Sequence, residues 1–502
     1  MLYFVDNYTT YMPKTQCSAI AQQYAVWYNP HKINFTGGIT MKAVTGWSFA
    51  PYTPPLFDSG DIYVCRIAPY EGGFRCEWLP VDGAIDYTLL CCLRGGELIE
   101  IGRTAECEFS VTGLEDMRDY EFQIVCGTLK SRVRLVRTGK SVGTVVNYLH
   151  PDDECYKFSG RYLCSPSLVR HPDGYLLASM DVFAGARPQN LTLIFRSDDE
   201  GETWHYVSEL MPCFWGRMFI HGGALYMLSV STEYGDLLIG RSDDGGKTFG
   251  MPTVLLRGAG RVDEAGVHKN PQPPIIYNGR IWETLEWGAW QIGGHAVMVM
   301  SAKVDSDLMD PASWLFSEPV PYDPAWPGLP EGPSAGNIEG TLTVDTEGRL
   351  INIMRYDMRQ MRPNYGKALI YDVDADDPEA PIKYRRPMDF PANHSKFEVQ
   401  LDDETGLYFS VASRIVSHED TYSRNLLSLM YSRDLVKWEV ACDLLDYRHE
   451  DPQMVGFQYV DFTIEGDDLL YLSRTAMNRA HNFHDANYST FHRLKNFREY
   501  VE

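Results

Sequence analysis

One pattern constrains this chain more than any other. Beyond residue 140 a strand, a tight turn and a second strand recur six times, as SPSLVRHPDGYLLASMD, RMFIHGGALYMLSV, PPIIYNGRIWETLE, IEGTLTVDTEGRLINIMRYD, KFEVQLDDETGLYFSVASR and YVDFTIEGDDLLYLSRTA. The turn glycines are Gly174, Gly223, Gly279, Gly348, Gly406 and Gly466, spaced 49, 56, 69, 58 and 60 residues apart, about the length of one four-stranded unit. Such a unit cannot bury its apolar face alone, so its copies must pack on one another, and radial closure protects their strand edges. The expectation is an all-β chain with a six-bladed propeller over 140–502. Closure further predicts that residues near 141–160 pair with the end of the chain in one blade.

A second motif runs in step with the first. Ser197-Asp198-Asp199-Glu200-Gly201-Glu202-Thr203-Trp204 and Ser242-Asp243-Asp244-Gly245-Gly246-Lys247-Thr248-Phe249 both fit S-x-D-x-G-x-T-[WF], with looser versions leading to Trp314 and Trp438. The glycine suits a backbone with positive φ, and the aspartate can satisfy loop amides. These segments resemble the Asp boxes, or BNR repeats, of the sialidase-like superfamily, in which they are structural turns away from the site. Over 61–139 the pattern changes to short alternating strands, FRCEW, DYTLLCCL, CEFSVTGL and YEFQIVC, divided by Asp82-Gly83 and Gly95-Gly96, which predicts a small β-sandwich. Trp78 of CEWLPV, the following GAIDYTL and the VTGL before Tyr120 resemble a fibronectin type III domain. Residues 1–60 are rich in aromatic residues and proline and show no periodicity that assigns a fold.

A formal net charge of −23 argues against a protein built to neutralise phosphates, which needs a basic face, so nucleic acid is not an expected partner. An acidic ligand would have to be met by a local cluster of arginines. No stretch approaches 18 apolar residues and the start MLYFVDNYTT lacks a basic, then apolar, leader, so neither a membrane nor export is expected and the cytoplasm is the expected compartment. The 11 cysteines have no metal-ligand spacing and read as reduced thiols. No cofactor and no metal is expected, and the sequence does not specify an oligomeric state.

Propellers place functional side chains where the innermost strand of each blade begins and where the second strand returns. Starts of first strands offer Ser165, Arg217, His268, Lys269, Glu339, Lys396, Tyr459 and Asp461; ends of second strands offer Asp181, Glu233, Glu283, Glu286, Arg355, Arg414 and Arg474. Acids, arginines and a tyrosine in one funnel suit cleavage of an acidic sugar, in which one carboxyl group protonates the leaving oxygen and a second group acts as nucleophile or base. The acids Glu286, Glu339, Asp181 and Asp461 are candidates, with His268 as an alternative base. The resemblance to sialidases implies a tyrosine nucleophile beside a glutamate, and Tyr459 is the matching choice. Substrate contacts are expected from Arg217, Arg355, Arg414, Arg474, Lys396 and Trp287, with the best carboxylate grip from Arg355, Arg414 and Arg474.

One departure from that family stands out: its Arg-Ile-Pro-Ser-Leu motif is here Cys164-Ser165-Pro166-Ser167-Leu168, without the leading arginine. The leading expectation is a hydrolase acting on an acidic oligosaccharide. A uronic-acid lyase using His268 or the cluster His481, His484, Asp485 and Tyr488 is a second reading. A non-catalytic glycan-binding propeller with stacking surfaces at Trp215, Trp282, Trp287 and Trp290 is a third.

Overall fold

The computed structural model describes residues 44–45, 62–185, 187–392, 395–417 and 421–501. The segment 1–60, to which the sequence assigns no fold, lies outside the described residues apart from Val44 and Thr45, which pair with Val254 and Thr253. The described chain is all-β, its helical content limited to three single 3-10 turns. No described helix is long and apolar enough to cross a membrane.

Each of the six repeats becomes a four-stranded antiparallel meander. The first comprises Tyr162–Arg170, Leu176–Phe183, Leu191–Ser197 and His205–Leu210; the second comprises Phe214–His221, Ala224–Val230, Leu237–Ser242 and Thr253–Leu256. In the third, Arg280–Ala289, Gly294–Lys303 and Trp314–Phe316 follow a broken inner strand, Gly266–His268 and Ile275–Tyr277. The fourth runs Gly336–Val344, Leu350–Asp357, Lys367–Asp372, Lys383–Asp389, and the fifth Gln400–Asp402, Leu407–Ser413, Leu426–Ser432, Trp438–Asp446. The sixth takes Gly456–Glu465, Asp468–Ala476 and Tyr488–Leu494 from the end of the chain and completes itself with Thr144–Tyr148 from before the first meander. The first and last strands of the ring thus share one sheet, the closure that the edge argument demands.

Bonds between consecutive meanders join them into a ring, the arrangement of a β-propeller. Met218 N donates to Ser167 Oγ (3.0 Å), Lys269 Nζ to the Trp215 carbonyl (3.1 Å) and Gly340 N to Glu286 Oε1 (3.2 Å). Val399 N donates to Thr341 Oγ1 (3.3 Å), Lys396 Nζ to the Val460 carbonyl (2.8 Å) and Leu168 N to Asp461 Oδ2 (2.5 Å). The six turn glycines all have positive φ, between 57° and 94°, where any other residue would be strained.

The two S-x-D-x-G-x-T turns share one bond pattern. Asp199 accepts from Thr203 N (2.8 Å), Thr203 Oγ1 (2.6 Å) and Ser197 Oγ (2.8 Å), and Asp244 accepts from Thr248 N, Thr248 Oγ1 and Ser242 Oγ at 2.9, 2.6 and 2.8 Å. Trp204 is wholly buried between strands, a burial that stabilises by roughly 3 kcal/mol.

Residues 62–137 form two smaller sheets. One contains Val64–Tyr70, Gly73–Trp78 and Glu108–Thr112, and the other Ile99–Thr104, Tyr87–Leu93, Asp119–Cys126, Leu129–Lys130 and Arg134–Arg137. Alternation puts Phe74, Trp78, Tyr87, Tyr120 and Phe122 inside, with Phe74 4.9 Å from Phe122 and Trp78 5.2 Å from Tyr87 between ring centroids. This core does not end at the ring: it continues through Val142, Val145 and Tyr148 into Val455 and Phe457 of the sixth meander. Buried ions reinforce the junction, with Arg66 on Glu77 and on the Val145 and Val146 carbonyls, and Arg134 on Asp153 at 2.7 Å.

Candidate active site

The site begins with an irregularity repeated in the inner strands. Ladder register shifts between Cys164 and Ser167, Phe214 and Arg217, Ile338 and Gly340, and Gln458 and Asp461. Within these bulges Ser165, Trp215, Glu339 and Tyr459 adopt left-handed backbone, with φ of 51°, 49°, 57° and 55°. Each such residue costs on the order of 1–3 kcal/mol, and residues held this way concentrate at functional sites. The bulge turns two neighbouring positions to different tasks. Ser167, Thr341 and Asp461, each two residues beyond a bulge residue, brace the ring, while Glu339 and Tyr459 are brought together.

Tyr459 Oη donates to Glu339 Oε1 (2.8 Å), and Arg355 Nη1 donates to Tyr459 Oη (3.2 Å) and to Glu339 Oε2. Two further guanidinium groups lie by the Tyr459 ring, Arg474 at 5.1 Å and Arg424 at 6.0 Å from its centroid. Burial opposes ionisation of Glu339, yet the charges of Arg355 and His268 and the bonds from Arg355 and Tyr459 hold its carboxyl below the usual range. Burial and then the Glu339 charge push the Tyr459 phenol up to about 12, against the pull of Arg355, Arg424 and Arg474.

The other side of the cluster is built on the third meander. His268 Nδ1 lies 2.5 Å from Glu286 Oε2, and its ring packs on Trp215 at 4.2 Å and on His295 at 4.9 Å. Tyr234 Oη reaches His295 Nε2 at 3.1 Å. Of the described acids, Asp181 is fully buried against Thr192 Oγ1 (2.5 Å) and is pushed up to about 7 by burial. Burial likewise raises Glu283 to about 7 and lowers its neighbour Lys269 to about 8.

Several residues expected in the pocket are placed elsewhere. Asp461 and Arg217 form a buried ion pair, and Asp461 also holds Leu168 N, so both serve the ring rather than an open funnel. Lys396 is spent on the Val460 carbonyl with Glu398 3.5 Å away. Arg414 does not join Arg355 and Arg474: it reaches toward the outermost strand, to Asp443 at 2.7 Å. Trp287 packs against the apolar cluster of the second and third meanders.

Arg424 takes the place expected for Arg414. It lies in the loop before Leu426–Ser432, bridged to Gly456, with its carbonyl accepting from Phe457 N at 2.8 Å. Strand-end bookkeeping gives no signal for it, because it sits at neither of the positions that the repeat nominates. Asp485 joins His481 and His484 at 2.9 Å each, and both Arg474 and His484 lie against Phe183. Burial and then the charge of Arg474 lower His484 to about 4, so this group stands as a bonded cluster beside Arg474. Glu77, Glu108 and His205 bring three ligand atoms within 4.8 Å of one another at the junction with the small sheets, but Arg66 and Arg75 already match both carboxylates.

No family model matches this chain, and no curated protein matches it. Among solved structures it is similar to a Penicillium chrysogenum alpha-L-arabinanase complexed with arabinobiose, at 15% identity over 72% of this chain and 99% of that one, with a TM-score of 0.48. It is similar to the GH93 alpha-L-arabinofuranosidase of Fusarium graminearum, at 14% identity over 70% and 97% of the two chains, with a TM-score of 0.47. The NanB sialidase from Streptococcus pneumoniae matches at 8% identity over 91% and 98%, with a TM-score of 0.45. At such scores these likenesses decide neither substrate nor mechanism, which rest on the residues of this chain.

Proposed function

We propose that this chain is a glycoside hydrolase that removes an acidic sugar, of uronic or sialic type, from an oligosaccharide. Its fold in this reading is a six-bladed sialidase-like propeller preceded by a fibronectin type III-like sandwich. The observation that carries this reading is the Tyr459–Glu339–Arg355 triad with Arg424 and Arg474 beside it. In a chain of net charge −23, three buried arginines around one tyrosine form a focused attraction for a carboxylate that the molecule as a whole repels.

A carboxylate nucleophile would be repelled by the bound substrate carboxylate, whereas a phenol is not. Glu339 is hydrogen-bonded so as to take the Tyr459 proton. A substrate carboxylate at the arginines would neutralise the charge that keeps Glu339 ionised, so binding itself makes Glu339 a stronger base. Tyr459 then attacks the anomeric carbon as the leaving oxygen departs, and water later releases the sugar.

The test is incubation of the protein with acidic oligosaccharides, read by mass spectrometry. Hydrolysis adds one water to the summed products, elimination adds none, and a binding protein leaves the masses unchanged. The reading expects added water, and its loss on Tyr459→Phe with the fold retained. Unchanged masses across uronic and sialic substrates would remove it.

A further inference from the structure

Hydrolysis at Tyr459 needs a proton donor for the leaving group, and the acids nominated from the sequence are committed elsewhere. Glu286 has one oxygen on His268 and the other on Gly340 N. Asp181, Glu283 and Asp461 are buried to 1% exposure or less, and Glu339 holds Tyr459 and Arg355. Glu233 differs. It stands on the loop after Ala224–Val230, is partly exposed, and accepts from Gln189 Nε2 at 2.9 Å.

That loop is firmly held. Tyr234 has φ 59°, and its carbonyl accepts from Gly260 N at 2.8 Å. A Cβ on Gly266 would lie 1.8 Å from the same carbonyl, and one on Gly258 would lie 2.1 Å from the Gly235 carbonyl, so three stretches of backbone meet here without side chains between them. Gln189 is fixed in turn, with φ 52° and its amide on the Ser159 carbonyl at 3.0 Å. Two non-glycine residues in left-handed backbone, on loops of adjacent meanders, therefore set one hydrogen bond between Gln189 and Glu233. Its chain neighbour Tyr234 ties this loop to the cluster, with its ring 6.0 Å from that of His268 and its Oη 3.1 Å from His295 Nε2.

We propose that Glu233 is the catalytic acid and base of this site, with Gln189 positioning it. The inference rests on the glycosidase reading above. In the first step the Glu233 carboxyl gives its proton to the glycosidic oxygen as the bond from that oxygen to the anomeric carbon breaks. Tyr459 Oη forms a bond to that carbon and passes its own proton to Glu339. In the second step the Glu233 carboxylate takes a proton from water, the water oxygen replaces Tyr459 at the carbon, and Glu339 returns the proton to the phenolate. Burial favours the protonated form of Glu233 needed for the first step, against the opposing charge of His268 and the Gln189 bond.

The test compares two leaving groups on one sugar. Wild type, Glu233→Gln and Glu233→Ala are assayed with the 4-nitrophenyl and methyl glycosides of glucuronic, galacturonic and N-acetylneuraminic acids. A methyl leaving group needs a proton and a nitrophenolate does not. Loss of the acid is expected to lower kcat/KM on methyl glycosides by about 10²–10⁴ while lowering the first step on nitrophenyl glycosides by less than about tenfold. Azide should restore turnover of the Ala variant on nitrophenyl substrate with glycosyl azide as product, which a purely structural role would not produce. The descending limb of the pH profile at high pH should vanish in both variants. If wild type hydrolyses these substrates but the variants lose equally on both leaving groups, without azide product, Glu233 is not the acid and the glycosidase reading stands. If folded wild type hydrolyses none of the six, the glycosidase reading falls and Glu233 with it.

Discussion

Replacing Arg474 by Met tests the acidic-sugar reading most directly, because its side chain grips no carboxylate among the described residues. Its Nη2 donates to the His484 carbonyl, and its Nε–H is buried with no acceptor among the described residues. A buried donor left unmet costs about 1–3 kcal/mol, which an incoming carboxylate would relieve. Methionine preserves the apolar stem beside Phe183, whose ring lies 4.5 Å from the guanidinium, and removes only charge and donors. Loss of a desolvated charge-assisted pair is expected to cost about 2–5 kcal/mol in transition-state binding, or tens to thousands of fold in kcat/KM. The assay is kcat/KM on an acidic glycoside and on its carboxyl-reduced analogue. The acidic substrate should suffer that loss, the reduced one less than about threefold, and thermal stability should change little because no ion is stranded. Arg355→Met should behave differently, losing about 3–5 kcal/mol of stability as well, since Glu339 would stay buried without its cation. Equal losses on both substrates with Arg474→Met would refute the argument and make this arginine a structural one.

Arg217→Met should destabilise by about 3–5 kcal/mol in denaturant melts by orphaning Asp461, while Arg217→Met with Asp461→Leu should recover much of that loss; a double variant worse than the single would contradict the bracing role. Asp199→Ala should lower stability by roughly 1–3 kcal/mol through three lost bonds and leave substrate preference unchanged, as read by melting and by the same glycoside pair. Glu209, held by Tyr63 Oη at 2.5 Å between the small sheets and the first meander, is pushed up to about 8 by burial. The folded protein keeps a proton there that the unfolded chain releases above its ordinary range near 4.3. Stability supplied by this group should therefore fall by on the order of a few kcal/mol as pH rises from about 4.5 to 8, and Glu209→Gln should flatten that slope in pH-dependent melts.

The sequence by itself determined the repeating unit. Alternating apolar positions around six turn glycines suffice to specify hairpins, because strand period and turn conformation are local properties of the chain. The pairing of Thr144–Tyr148 with Tyr488–Leu494 was legible too, since a sheet with free edges is unstable and joining the start and end of the repeat region closes the ring. Glu339, Arg355, Tyr459 and Arg474 could be nominated because a repeat returns equivalent positions to one face. Only the tertiary structure decided what those positions do. Asp461 has the same residue type and strand position as a catalytic acid, but Arg217 arrives from two meanders away and claims it. Arg414 and Arg424 are ten residues apart on one meander, yet the first reaches outward to Asp443 and the second lies by the Tyr459 ring. Neither outcome is written in local periodicity. The bulges that turn Glu339 and Tyr459 toward each other are strained conformations that no residue preference predicts, and the packing of the closed ring is what maintains them.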